Sequence, residues 1–184
     1  LRCKTRQEKK RALQKDADTM DVQLRTLDAK ASMLREMEQD FEGFSKAVRL
    51  VMQEADRGAL AGVHGPVSKL IHVEDRYTTA IETALGAAMQ NIVVDDEGCG
   101  KAAIQMLKRR DGGRATFLPL SAVTGRRLSE PQLAGAKGYI AIASELAQTQ
   151  ELYRNIVENL LGRTVIAETL DDAIAMSRAC GART

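Results

Sequence analysis

The 184-residue chain has no tryptophan, only three tyrosines and three phenylalanines, and only three prolines. Large aromatic anchors are therefore scarce, and any core must be built from Leu, Ile, Val, Ala and Met. Cys3, Cys99 and Cys180 are odd in number, widely spaced and outside any CxxC pattern. That argues against zinc sites and disulfide scaffolds and fits a reducing cytoplasm. No apolar run approaches the roughly 18 residues of a membrane helix. The basic opening "LRCKTRQEKKR" has no apolar segment behind it, unlike a secretory signal. An initiator methionine is also missing, and the chain opens inside a helical pattern, as an excised fragment does. The formal charge of +2 does not by itself argue for a nucleic-acid partner.

What is present begins with a seven-residue beat. Leu13, Met20, Leu27 and Leu34 hold one seam position, and Ala17, Leu24 and Ala31 hold the other. Alternating steps of four and three are the a/d signature of a coiled coil. The beat then shifts to Met37, Phe41, Phe44, Val48, Val51 and Ala55, starting with a second step of three, which reads as a stammer. About 50 helical residues at 1.5 Å each predict a rod of roughly 75 Å. Its apolar seam needs a partner helix, and no later segment supplies a comparable heptad run.

Beyond Gly58 and Gly62 the texture changes, and two segments echo each other. Both show GxxG, at Gly62/Gly65 and Gly135/Gly138. Both then carry Tyr, Ile or Val, Glu, Leu and Gly at identical spacing. These are Tyr77, Ile81, Glu82, Leu85 and Gly86, then Tyr153, Val157, Glu158, Leu161 and Gly162. Tyr, Ile/Val and Leu at i, i+4 and i+8 line one helix face, and the glycine suits a left-handed C-cap. A β-branched strand follows in each, "NIVV" or "RTVIA", then acids opening another helix; "TLDD" at Thr169–Asp172 resembles a capping box. "GRATFLPL", Gly113 to Leu120, closes the first unit as a strand whose proline suits an edge or strand end. The expected fold is α/β: two pseudo-repeated helix–strand–helix subdomains with small mixed sheets, preceded by a long coiled-coil helix. The boundaries are 1–57 for the arm, 58–120 for the first subdomain, 121–134 for a linker and 135–184 for a truncated second subdomain.

Candidate chemistry is sparse. "VVDDEGCGKAA" mimics a phosphate-binding loop, but a Walker A pattern needs GxxxxGK[ST]. Asp95 stands at the first glycine position, Ala102 replaces the final Ser/Thr, and Asp95, Asp96 and Glu97 repel phosphate. An enzyme using the Gly98–Lys101 loop is accordingly disfavoured. His64 and His72 lack partners at metal-ligand spacing apart from Glu74 and Asp75. Glu82 and Glu158 suit a helix surface or cap contact better than a paired-carboxylate site. From Gly62 onward cations and acids balance at fourteen each, yet they are unevenly placed. Lys101, Lys108, Arg109, Arg110 and Arg114 gather around one helix end, with Arg126 and Arg127 beyond the strand. Such a cluster can neutralise several phosphates and bind DNA without sequence preference; a solvated helix C-terminus accounts for part of it. The few aromatics leave little for base stacking, so binding would be to the backbone.

The stretches "FEGFSKAVRLVM", "GVHGPVSKLI", "YTTAIETALGAAMQNIVVDD", "GRATFLPL" and "NLLGRTVIAETLDDAI" resemble, in order, the hinge of the SMC (structural maintenance of chromosomes) family in its bacterial chromosome-condensation form. The resemblance spans roughly Phe41 to Thr184. It implies a non-enzymatic hinge that joins two antiparallel coiled-coil arms and dimerises with a second hinge into a two-fold assembly. It also implies contact with DNA and a place at the nucleoid. ATP and Mg belong to distant head domains, kleisin-type subunits bind elsewhere on the parent, and the hinge itself holds no cofactor. The return helix that pairs with the arm, a further strand and a glycine-rich stretch follow the position of Thr184 in the family. The dimer contact is expected at Tyr139, Ile140 and Ala141. The competing reading is a module whose main role is DNA binding, with incidental dimerisation.

Overall fold

The computed structural model describes residues 2–39, 43–129 and 135–180. The chain divides into two units, Leu1–Gly43 and Phe44–Thr184, not at residue 57. The first is a single helix, α1 (Arg2–Gln39). Its seam residues Leu13, Met20, Leu24, Leu27 and Leu34 are 60–66% exposed, so the apolar stripe has no cover among the described residues.

The continuous helix expected through Ala55 is corrected. Gly43 stands at φ +93°, and Ser45 starts a new helix, α2 (Lys46–Asp56), its hydroxyl accepting the Val48 N–H. Ala47, Val48, Val51 and Met52 are buried in the second unit, where α2 packs on a strand and a helix of the first repeat. The steps from Phe44 onward therefore belong to the apolar face of a separate helix, whereas the two successive steps of three, Ala31–Leu34–Met37, fall within α1. Met37 and Phe41 lie outside the described side chains.

The first repeat runs β1 (Val63–Pro66), α3 (Val67–Leu70), β2 (Ile71–Val73), α4 (Asp75–Leu85), β3 (Ile92–Val94), α5 (Glu97–Arg109) and β4 (Phe117–Pro119). The second runs β5 (Tyr139–Ile142), α6 (Ala143–Leu146), β6 (Ala147–Thr149), α7 (Arg154–Leu161), β7 (Val165–Ala167) and α8 (Leu170–Cys180). Each repeat is therefore longer than helix–strand–helix. A short strand–helix–strand unit precedes the helix that carries the repeated tyrosine pattern. β1 pairs antiparallel with β3 and β5 with β7, each with one extra residue bulged out, His64 and Ile140 respectively. β4 joins β3 in parallel at the edge of a three-stranded mixed sheet, ending on Pro119. This is the position the proline predicts, since an edge strand does not need its missing N–H.

The repeats are stitched together by β2 and β6, antiparallel, with His72 opposite Gln148 and Ile71 opposite Thr149. Ile71 and Ala147 are repeat equivalents, as are Val73 and Thr149, so this ribbon lies on a local pseudo-two-fold axis. One core serves both halves: Val67, Ile81, Leu85 and Val93 pack with Ala143, Tyr153, Ile156, Val157, Leu161 and Ile166, and Tyr77 flanks them. The helix faces marked by the repeated pattern meet here.

Two glycine expectations change. Gly62 is matched by Gly138, not Gly135: both have φ near +70°, and their carbonyls accept Asp95 N–H and Glu168 N–H respectively, each 2.8–2.9 Å away. The repeat offset is 76 residues throughout, bulges included, so Gly65 answers to Ala141 and the second GxxG pattern falls out of register with the first. Gly86 has the positive φ of the expected left-handed cap, +50°, but its ψ of −126° lies outside that region. Gly162 instead has φ −68°. It is glycine for space, because a Cβ there would collide with the Arg126 carbonyl. That passing segment is fastened by Leu128 N–H to the Gly162 carbonyl and by the Asn159 amide to the Thr124 carbonyl. The described part of the linker is therefore bound along α7.

Candidate nucleic-acid interface

The cationic residues of the first repeat sit on α5 and the turn after it. At the start of α5, Asp96 is the N-cap and accepts the Cys99 N–H at 2.8 Å. That bond holds its carboxyl below the ordinary value of 3.8. The helix terminus that a phosphate-binding loop would offer to an anion is thus occupied by the chain's own carboxylate. Beside it, burial and the neighbouring Asp96 push the Cys99 thiol up, away from the reactive thiolate.

Lys101 and Lys108 lie seven residues apart, about 10.5 Å along one face of α5, with the partly exposed Ile104 between them. Past the helix end the chain turns sharply: Asp111 adopts φ +48° and Gly113 φ +87°. This turn brings Arg114 back alongside Lys108. Both line an open cavity of about 550 Å³ with Ile104, Leu107, Asp111, Gly113 and Ala115. Lys101, Lys108 and Arg114 are exposed. Ion-pair partners for these three are absent among the described residues. Arg109 is exposed and lines a neighbouring cavity with Arg110.

Arg110 is placed differently. Its Nη1 and Nη2 donate to the two carboxylate oxygens of Glu54 on α2, at 2.8 and 3.0 Å. Arg126 and Arg127 lie on the strap that crosses the second repeat. Arg126 is exposed, its carbonyl against Gly162. Arg127 is bound to the Glu145 carboxylate at the start of α6. The seven cations predicted from sequence therefore fall into a group on α5 and its turn, one cation paired with α2, and two on the strap.

Tyr139, Ile140 and Ala141 occupy β5. Tyr139 packs against Val165 and Met176, and burial raises its phenol, assisted by Glu145. Ile140 is turned partly into the shared core, and Ala141 is buried. Sequence reasoning missed one polar cluster. The bulge residue His64 places Nε2 2.8 Å from Asp95 Oδ1 and Nδ1 3.1 Å from the Tyr153 hydroxyl. No spacing rule joins residues so distant in sequence. Among the described residues, no group of three His, Cys, Asp or Glu side chains could hold a metal, and no helix is long and apolar enough to cross a membrane.

A long helical arm joined in sequence to a duplicated α/β module with one pseudo-symmetric core defines the class. Residues 60–177 match the family described as SMC proteins Flexible Hinge Domain, and the chain belongs to that family. It is 41% identical over 158 residues to the Chromosome partition protein Smc of Bacillus subtilis (strain 168), covering 84% of this chain but only 13% of that protein. Its fold is similar to an asymmetric dimer of the Geobacillus stearothermophilus SMC hinge domain, with TM-score 0.76 and 42% identity over 82% of this chain and 60% of that one. It is also similar to the Pyrococcus furiosus SMC protein hinge domain, with TM-score 0.61 and 30% identity over 74% and 69% of the two chains.

Proposed function

We propose that the chain works as the hinge of a chromosome-partition SMC ATPase, joining coiled-coil arms, homodimerising with a second hinge and touching DNA without sequence preference. The observation that carries the DNA contact is the convergence of Lys108 and Arg114 on one cavity, with Lys101 and Arg109 on the same helix. Unpaired cations on a shared face gain affinity by releasing phosphate counterions. The exposed seam of α1 supports an antiparallel return helix as its partner. The relatives supply the dimer, since a similar solved hinge is described as one. Several strands keep one edge unpaired by another strand among the described residues, those of β4, β5 and β7 included, and such edges are natural places for a second copy to add strands. Tyr139, Ile140 and Ala141 on β5 remain the proposed contact strand. In this reading the hinge is not catalytic and binds no cofactor. ATP and Mg act at the parent protein's heads, kleisin-type subunits bind elsewhere on the parent, and the protein works in the cytoplasm at the nucleoid.

Fluorescence anisotropy with a mixed-sequence duplex tests the DNA contact. Lys108→Glu with Arg114→Glu should abolish low-salt binding while the far-UV circular dichroism stays unchanged. Binding that survives the double reversal removes this groove from the account. Sedimentation of a hinge carrying both arms tests dimerisation, and a monomer at tens of micromolar would refute it.

A further inference from the structure

The turn that presents Arg114 is held in place by α2. Three residues on one face of that helix, Lys46, Leu50 and Glu54, touch three consecutive residues of the turn. Lys46 Nζ donates to the Asp111 carbonyl at 3.0 Å. Leu50 packs so closely on Gly112 that a Cβ there would lie 3.0 Å from its Cδ1. Glu54, 6% exposed, accepts both terminal nitrogens of Arg110, and Arg57 adds a third donor at 3.1 Å. Arg110 is the next residue along from Arg109, and its side chain is still 48% exposed. It has the reach of a phosphate ligand but not the free charge. A carboxylate with three charge-assisted donors is well satisfied where it lies, so Arg110 does not leave it without compensation.

We infer that Glu54 is a positioning residue for the proposed DNA contact: it withholds the Arg110 guanidinium from phosphate, while Lys46 and Leu50 hold the turn that sets Arg114 beside Lys108. This rests on the DNA-contact reading of the α5 groove. Because the carboxylate comes from α2 and the cations from α5, any separation of the two helices adds a cation to the DNA face. The strength of the contact is thereby tied to the seating of the helix that follows the arm in sequence.

The readout is the dependence of DNA affinity on salt, which counts phosphates neutralised, about 0.9 in log–log slope for each. Anisotropy titrations of the whole chain across about 50–200 mM salt compare wild type, Glu54→Gln, Arg110→Gln and the double variant. Glu54→Gln keeps the side chain's shape and frees Arg110, so its slope should steepen by about 0.9. The double variant should return to the wild-type slope, and Arg110→Gln alone should leave it unchanged. The Arg110→Gln arm decides the matter even where Glu54→Gln fails to fold, because a shallower slope there means Arg110 already binds phosphate. A folded Glu54→Gln with the wild-type slope also overturns the inference. Wild type that binds no DNA overturns the reading of the groove and this inference with it, whereas the two previous outcomes overturn this inference alone.

Discussion

His64 of the first repeat and Tyr153 of the second meet through a 3.1 Å hydrogen bond, their rings edge to face with centroids 5.5 Å apart. The bulge in β1 makes this possible, because it turns His64 out of the alternation of the strand and towards the other repeat. Asp95 holds the opposite ring nitrogen, so the imidazole is fixed from both sides. Tyr153 is 9% exposed, which makes its hydroxyl a buried group that needs its partner.

Removing that hydroxyl should cost roughly 1 kcal/mol, the usual net value of one hydrogen bond. Tyr153→Phe is therefore expected to lower the urea midpoint with little change in m-value. A double-mutant cycle with His64→Leu should show coupling between the two sites. Strictly additive effects would mean that the contact contributes nothing to stability.

The shared core predicts that the two repeats unfold together. Ile81 and Val157 are repeat equivalents, 2% and 3% exposed, in one cluster. Ile81→Ala should cost about 2–5 kcal/mol. It should also loosen the second repeat as much as the first, as seen by hydrogen exchange at β7. Protection lost only within the first repeat would indicate two independent cores.

Gly86 and Gly162 occupy equivalent places in the sequence pattern but should respond differently to alanine. Gly86→Ala meets open space and is opposed only by its backbone, φ +50° with ψ −126°, at about 1–3 kcal/mol. Gly162→Ala drives a methyl group into the Arg126 carbonyl and should be clearly the more destabilising, loosening the strap at Leu128. Thermal melts of the two variants provide the comparison, and equal losses would contradict the steric account.

Asp96 gives a pH dependence with a definite sign. Its folded-state carboxyl is depressed by the Cys99 N–H, so its contribution to stability is complete above 3.8 and is lost as the pH falls through the lower folded value. Asp96→Ala should lower the melting temperature at neutral pH, and the gap from wild type should close in strong acid. A gap that stays constant with pH would mean that the cap acts without its charge.

Asp111 is the acid that lines the groove of Lys108 and Arg114. Asp111→Gly removes the negative charge and suits the φ of +48°. DNA affinity at low salt should therefore rise, and an unchanged affinity would place the phosphates away from this turn.

Local signals in the sequence were legible where the physics is local. The heptads of Leu13 to Leu34 marked α1, since a period near 3.5 has no other simple reading. Tyr77, Ile81 and Leu85, with their counterparts Tyr153, Val157 and Leu161, marked two helix faces that do enter the core. Thr169 and Asp172 formed the anticipated cap, the Asp172 N–H reaching the Thr169 hydroxyl at 3.2 Å. The break before α2 was visible only as Gly43 and Ser45, and the buried face of α2 imitated a continuing seam because helix faces and coiled-coil seams share nearly the same period.

The duplication, its helix faces and the family signature were thus determined by the order of residues alone, because each depends on spacing along one segment. Tertiary structure alone decided that Gly62 answers to Gly138 and that Gly162 is small to let the Arg126 segment pass. It alone paired Arg110 with Glu54 while leaving Lys108 and Arg114 to share a groove. Each of these depends on which distant segments approach within a few ångströms, a distance that no periodicity in the sequence encodes.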